Sequence, residues 1–313
     1  MDRQSKIILI SGPTASGKSS FAVKLAKKIQ GEIINADSMQ VYKQLKILTA
    51  RPDKEDQKNI KHHMYGVVDL NKNFSTGQWL KEATKKIKEI RKRKKIPILV
   101  GGTGLYFQSL IDGLVKIPEI PIKFRNKIRL VQKNEGQKKF YKELIRIDPM
   151  AKDKFDQNDT QRTIRAFEVK SFTKISMYEW VSKTKSEFKD EEFLKLYIDF
   201  KREDLIKRIS LRTIKMLKEG AINEVKNFIK SKIKKDLSVN RVIGIAELTQ
   251  HIDKKINLDQ ARELISIKTR QYAKRQATWS RSRMTSWEKI NPIKIADYIK
   301  KLKKSPLKLD QLT

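Results

Sequence analysis

The chain contains no cysteine and no long apolar run, and it has few acidic residues relative to basic ones. Without thiols it has no disulfide framework, thiolate zinc site, iron–sulfur cluster or cysteine nucleophile. Near the N-terminus only residues 7–10 form an uninterrupted apolar run, which is too short for a secretory signal. No run approaches the about 20 residues that span a bilayer. We therefore expect a soluble protein that acts in the cytoplasm without a membrane partner.

The remaining composition indicates a folded, strongly basic chain. Of its 313 residues, 71 are Lys or Arg and 36 are Asp or Glu, so the formal net charge is +35. The hydrophobic fraction of 38% is enough for a buried core. The excess charge favours a polyanionic partner, because cations placed on phosphates release counterions. Lys, Ile and Asn are abundant along the whole chain, as a coding bias also produces, so charge alone does not identify the partner.

Strand and helix patterns alternate over the first hundred residues. Short β-branched apolar runs at 6–10, 32–36 and 96–100 predict strands buried on both faces. Helical patterns at about 18–29 and 76–95 separate them. Strands alternating with helices predict an α/β fold, a parallel sheet flanked by helices.

The middle of the chain has a different pattern. From about 124 to 180 the apolar spacing is helical, and a strand pattern returns at 193–198. We expect a helical domain inserted at 118–192 into a catalytic core formed by 1–117 and 193–313.

One motif predicts a phosphate site. Residues 12–19, GPTASGKS, match the phosphate-loop pattern G-x-x-x-x-G-K-S/T between a strand and a helix, which makes the core P-loop NTPase-like. Gly12 and Gly17 let successive backbone N–H groups point inward at the helix N-terminus. Lys18 reaches outer phosphate oxygens, and the Ser19 hydroxyl is placed to ligate Mg²⁺. The segment therefore predicts a site for a diphosphate or triphosphate, nucleotides such as ATP included.

The residues at the strand ends narrow the choice of ligand. Nucleotide kinases and hydrolases usually hold their metal with an Asp after a strand, but the strand at 96–100 ends in glycines followed by Thr103. The strand-end acid is Asp37 instead. Ligands gather at the carboxyl ends of parallel strands, so we expect the phosphate loop, Asp37 and Thr103 to share one crevice. An Asp at this position is also a common helix N-cap, and the residues alone leave base and cap both open.

Basic clusters supply candidate nucleic-acid contacts. The segment 268–283 has six cations and no acid, interleaved with Tyr272 and Trp279, which suits an RNA backbone and unstacked bases. A solvated helix with its aromatics in the core fits equally well. Gln161 and Arg165, one helical turn apart, form a second cluster.

Two further pairs invite simpler interpretations. Arg208 and Arg212 lie one helical turn apart and are expected to be a surface pair. His62 and His63 have no third metal-binding residue at a suitable spacing, so a structural role is expected.

Five motifs together resemble the tRNA dimethylallyltransferase family, also called IPP transferases. Relatives from eukaryotes carry a zinc finger that this cysteine-free chain cannot form, which favours the bacterial type. The motifs are GPTASGKS at 12–19, ADSMQVY at 36–42, GGTGLY at 101–106, DTQR at 159–162 with Arg165, and KRQATW at 274–279.

The resemblance implies a reaction, a metal and a partner. A dimethylallyl group would pass from dimethylallyl diphosphate to N6 of the adenosine 3′ to the anticodon, with release of diphosphate. Asp37 matches the family's base, Thr103 would lie beside the adenine, and Arg212 would neutralise the leaving group. Mg²⁺ and the phosphate loop, including Thr14, Ala15 and Ser16, would bind the diphosphate.

The partner implied by the resemblance is the anticodon arm of a tRNA, bound by a monomer. The residues implied to contact it are Asp37, Ser38, Met39, Gln40, Gln161, Arg162, Arg165, Arg241, Lys274, Arg275, Gln276, Trp279 and Arg281.

The chain departs from the family pattern at Ile245 and Ala246, where an aromatic residue and a cation are usual, so RNA contacts are doubtful there. Thr173 also replaces a usual glycine.

Two other functions fit parts of the sequence. A P-loop kinase would transfer phosphate from ATP, and a nucleotide-gated RNA-binding protein would bind RNA regardless of the prenyl donor.

Overall fold

The computed structural model describes residues 6–294 and 297–298, arranged in two compact units. The first unit holds the chain up to Ile111 and from Phe188 onwards, and the second is Asp112–Glu187. The expected insertion was 118–192. The parts of the expected core at 1–5, 295–296 and 299–313 lie outside the described residues.

A six-stranded parallel sheet forms the first unit, with the strand order β3-β2-β4-β1-β5-β6. This confirms the predicted α/β class. The strands are β1 Ile7–Ser11, β2 Gly31–Asn35, β3 His62–His63, β4 Ile96–Gly101, β5 Phe193–Ile198 and β6 Glu288–Ile290.

Helices cover both faces of this sheet and build the second unit. The first four are α1 Lys18–Ile29, α2 Lys54–Gln57, α3 Thr76–Lys92 and α4 Gly104–Ile111. The second unit contains α5 Ile122–Glu135, α6 Gln137–Ile147, α7 Thr160–Thr173 and α8 Met177–Ser182. The chain then returns to the first unit with α9 Arg202–Lys218, α10 Ala221–Lys230, α11 Ile245–Ile252 and α12 Leu258–Arg283. Among the described residues, no helix combines the length and apolar character needed to cross a membrane.

Burial on both sheet faces explains the apolar runs. Ile7 and Leu9 of β1 pack into the cluster on one face, and Ile8 and Ile10 pack into the cluster on the other. Two edge strands, β3 and β6, were not predicted. Each has two or three residues and includes polar side chains, so neither shows a strand pattern in the sequence.

The amino end of the sheet holds a buried carboxylate. Glu32 on β2 is 1% exposed and accepts from His63 Nε2 and from Arg93, each at 2.7 Å. Burial opposes ionisation, but hydrogen bonds and charges from Arg93 and His63 win and lower the pKa of Glu32 to about 2. The ring Nδ1 of His62 lies 2.8 Å from the Ile60 carbonyl oxygen. Both histidines therefore have structural partners.

The second unit is also held by a buried carboxylate. Glu168 on α7 is 1% exposed and lies within ion-pair distance of Arg125 and Arg129 on α5 and of Arg165 on its own helix. The carboxylate thus ties α5 to α7.

Candidate active site

The phosphate loop joins β1 to α1 in a curled conformation. Gly17 has φ +86° and Ala15 has φ +64°, both in the left-handed region. The Pro13 carbonyl oxygen accepts from the Ser16 backbone N–H and from Lys18 Nζ, each at 3.2 Å. Ser16 is 1% exposed, and its buried hydroxyl has no hydrogen-bond partner among the described residues. The side chain therefore lies inside the loop, and the diphosphate contact expected at Ser16 stays a prediction that concerns its backbone N–H.

Lys18 is the loop's charged group. Burial lowers its pKa to about 8; the Arg212 charge acts in the same direction, and Asp37 opposes both. Lys18 thus loses its charge at a lower pH than an exposed lysine, around pH 8.

The arginine pair of α9 also belongs to this site. Arg212 donates to Thr14 Oγ1 at 2.8 Å, and Arg208 Nε donates to the Ala15 carbonyl oxygen at 2.7 Å. The guanidinium of Arg208 lies 5.1 Å from the centre of the Phe200 ring. The expectation of a mere surface pair was wrong, because one turn of α9 faces the phosphate loop.

Asp37 is held by the end of β2. Its backbone N–H donates to Asn35 Oδ1 at 2.9 Å, and its own Oδ1 accepts from the Met39 N–H at 2.9 Å. Asn35 is fully buried, and its carbonyl oxygen accepts from Trp79 Nε1 at 2.8 Å. No helix follows Asp37 directly, so it is not a helix N-cap. Its carboxylate keeps one oxygen outside the turn.

Thr103 ties the end of β4 to the Asp37 loop. Its Oγ1 accepts from the Ser38 N–H at 2.9 Å, and its N–H donates to the Ala36 carbonyl oxygen at 3.2 Å. The two strand ends are therefore joined by side-chain and backbone hydrogen bonds, as adjacency of β2 and β4 in the sheet allows.

Gln276 of α12 clamps the phosphate loop to β4. Its Oε1 accepts from the Thr14 N–H at 2.8 Å, and its Nε2 donates to the Gly102 carbonyl oxygen at 2.9 Å. A Cβ at Gly102 would lie 2.1 Å from that nitrogen, which explains the glycine. The side chain is 9% exposed and engaged at both amide ends, so it positions the loop, and the tRNA contact expected at Gln276 stays a prediction.

Trp279 lies one turn nearer the end of α12. It is half-buried, and a Cβ at Gly104 would lie 2.3 Å from its ring carbons. Gly102 and Gly104 of the GGTGLY motif thus make room for side chains of α12.

The phosphate loop, Asp37 and the arginine pair of α9 line a cavity of about 490 Å³, called here the donor cavity. Its described lining contains a single carboxylate, Asp37. It also contains apolar side chains such as Leu48, Met216 and Ile265. The five cations of the lining are Lys18, Arg208, Arg212, Arg241 and Arg275. Such a space suits a polyanion with a hydrocarbon part.

A second cavity of about 260 Å³, called here the acceptor cavity, lies beside it. Ser38, Thr103 and Trp279 line this second space. Asp37 and Thr103 thus lie on adjacent cavities, and the predicted single crevice has two parts.

The other predicted contacts are distributed. Met39 and Gln40 line the donor cavity, and Gln40 Nε2 donates to the carbonyl oxygens of Thr49 and Ala50. Lys274 and Arg281 are exposed on α12. The remaining three lie on α7 of the second unit: Gln161, Arg162 and Arg165. At two of the three positions that depart from the family pattern, Ile245 is buried in the core and Ala246 is exposed.

Sequence reasoning did not assign two residues of the site. Arg208 lacked a distinguishing signal beyond its spacing from Arg212. Asn35 could have been noticed, because a polar residue at the end of an apolar strand is costly to bury unless it is hydrogen-bonded.

Comparisons with known sequences agree with this geometry. A family model described as IPP transferase matches residues 40–283. A tRNA dimethylallyltransferase from Pelagibacter ubique is 75% identical over 313 residues, the full length of both chains. Another from Rickettsia massiliae is 41% identical over 283 residues, covering 90% of this chain and 78% of the relative.

Solved structures give the same result. A tRNA isopentenylpyrophosphate transferase from Bacillus halodurans has a TM-score of 0.70 at 29% identity and covers 98% of each chain. A eukaryotic dimethylallyltransferase acting on tRNA has a TM-score of 0.83 at 29% identity, covering 98% of this chain and 79% of the other. With a family model over most of its length and relatives of such identity, the chain belongs to the IPP transferase family.

Proposed function

We propose that this chain transfers the dimethylallyl group of dimethylallyl diphosphate to N6 of the adenosine 3′ to a tRNA anticodon, releasing diphosphate. The observation that carries the proposal is the donor cavity. It combines a phosphate loop, five cations and a single carboxylate with apolar walls, and so matches a diphosphate ester with a short hydrocarbon chain. The relatives named above are tRNA dimethylallyltransferases.

The reaction needs one proton acceptor. The N6 nitrogen attacks C1 of the dimethylallyl group, the C1–O bond breaks, and its electron pair leaves with the diphosphate. Asp37 takes the proton that N6 loses, because it is the only carboxylate among the described residues that line this cavity. Lys18 and Arg212 stabilise the charge that grows on the diphosphate.

Magnesium fits the same loop. Ser19 lines the donor cavity and offers a hydroxyl oxygen, the class of ligand that Mg²⁺ prefers. Among the described residues, no group of three carboxylate, histidine or cysteine side chains could hold a metal, so diphosphate oxygens and water would supply the other ligands. When bound, Mg²⁺ would neutralise part of the diphosphate charge. A nucleotide such as ATP would compete for the loop.

RNA would reach the site through the acceptor cavity, with Thr103 beside the adenine. Its phosphates and bases would be held by exposed and half-buried residues of the core and of the helical unit, and the protein would act as a monomer in the cytoplasm. These residues are Ser38, Met39, Gln40, Arg241, Lys274, Arg275, Trp279 and Arg281 from the core, and Gln161, Arg162 and Arg165 from the helical unit.

Mass spectrometry of modified tRNA tests the proposal. The purified protein is incubated with tRNA, dimethylallyl diphosphate and Mg²⁺, and the anticodon fragment should gain one five-carbon group on the adenosine 3′ to the anticodon. Omitting the donor, or replacing it with ATP, is the control. No adduct, or transfer of label from the γ-phosphate of ATP to a small acceptor, would contradict the proposal and favour a kinase.

A further inference from the structure

Two neighbouring residues of α12 lie on both cavities. Tyr272 and Arg275 are the described residues that line the donor cavity and the acceptor cavity at once. The donor must approach from the phosphate-loop side and the base from the Thr103 side. The wall that these two residues form is therefore where the reacting groups meet.

The ring of Tyr272 is held in a defined place. The guanidinium carbon of Arg275 lies 5.7 Å from its centre, within the range of a cation–π contact. Gln276, next in sequence to Arg275, anchors this turn of α12 to both the phosphate loop and β4. Tyr272 thus keeps its position relative to the loop and to the end of β4.

The side chain of Tyr272 is suited to stacking on a nucleobase and not to transferring a proton. Burial and the nearby Asp37 carboxylate both raise the pKa of Tyr272, so the phenol stays neutral. Its ring is half-buried, leaving aromatic surface on the cavity walls. Aromatic side chains stack on unstacked bases, worth about 1–3 kcal/mol per base.

We propose that Tyr272 is a positioning residue whose ring stacks on the adenine that enters the acceptor cavity and holds its N6 towards Asp37 and the donor. Arg275 keeps the ring oriented. This inference rests on the proposed prenyl transfer, because it names the surface that receives the acceptor base.

A pair of variants separates stacking from structure. Tyr272→Phe keeps the ring, and Tyr272→Leu keeps a similar apolar volume without it. We expect Tyr272→Phe to stay within about threefold of the wild type, and Tyr272→Leu to raise KM for tRNA by about 5- to 150-fold, as loss of one stacking contact implies. In Tyr272→Leu the KM for tRNA should rise more than the KM for dimethylallyl diphosphate, and thermal melting of both variants should match the wild type.

A fluorescent base gives a second measurement. An anticodon stem-loop with 2-aminopurine in place of the target adenine should be quenched on binding to the wild type and to Tyr272→Phe, and bright on binding to Tyr272→Leu. Equal KM values and equal fluorescence for Phe and Leu would overturn the inference while the wild type still makes product. Absence of product from the wild type would instead overturn the proposed function.

Discussion

At the scale of single residues, the site depends on side chains that are held in place by one hydrogen bond and still have a polar atom available to a ligand. Asp37 accepts from the Met39 N–H through one carboxylate oxygen, and its other oxygen is available for the proposed proton transfer. Lys18 contacts the Pro13 carbonyl oxygen and still faces the cavity.

Asp37→Asn should remove the base and keep the turn, because the amide oxygen can still accept from the Met39 N–H. We expect turnover to fall by about 10² or more, as loss of a general base typically does, with tRNA affinity within several-fold of the wild type. Asp69→Asn, an exposed carboxylate paired with Lys43, is the matched control and should leave turnover unchanged. Near-normal turnover of Asp37→Asn would show that another group takes the proton.

Lys18 should make donor binding sensitive to alkaline pH. Its folded pKa is lowered to about 8, so the ammonium is present below that pH and lost as the pH rises through it. Neutral Lys18 cannot neutralise diphosphate, so kcat/KM for the donor should fall by up to about tenfold for each pH unit above the pKa. Steady-state rates between pH 6.5 and 9.5 measure this. A flat profile to the alkaline limit is the contrary result.

At the scale of elements, the parallel strands and first helices followed from local pattern, and the links between elements did not. The predicted helix at 18–29 coincides with α1, and the predicted strand at 193–198 coincides with β5. Helix α1 has apolar residues at the helical spacing and β5 is a nearly continuous apolar run, and both patterns can be read from neighbouring residues. Gln276 is hydrogen-bonded to Gly102, 174 positions before it, and to Thr14, 262 positions before it. No local sequence pattern specifies such long-range hydrogen bonds.

The helical unit offers an element-scale test. Glu168→Gln removes the negative charge that ties α5 to α7 and leaves three arginines without their counter-charge. We expect the free energy of unfolding of this unit to fall by about 1–3 kcal/mol, since a buried group loses its ionic partners. Hydrogen exchange of α5 and α7 amides measures it.

Glu179→Gln, in an exposed pair with Lys183, is the matched control for Glu168→Gln. Surface pairs contribute about 0–1 kcal/mol, so its exchange pattern should stay close to that of the wild type. Equal protection in the two variants would mean that Glu168 does not tie α5 to α7.

At the scale of the whole molecule, a net charge of +35 attracts any polyanion, but only the cations proposed to contact tRNA should change the salt dependence of tRNA binding. Arg281→Ala should weaken tRNA binding and reduce the salt slope by about one counterion, as loss of one phosphate contact does. Lys27→Ala, an exposed cation in the last turn of α1, is the control and should leave the slope unchanged. Equal slopes for the two variants would place Arg281 outside the RNA footprint.

The amino-acid sequence by itself determined the fold class, the phosphate loop and the family, because each is written in contiguous residues or in a regular period. Tertiary structure alone decided which distant side chains meet. It brought Arg208 and Arg212 onto the loop, withdrew Gln276 from solvent, and separated Asp37 and Thr103 onto two adjacent cavities. The reason is physical. Which distant side chains come into contact depends on how the helices pack against the sheet, and the spacing of residues along the chain does not specify that packing.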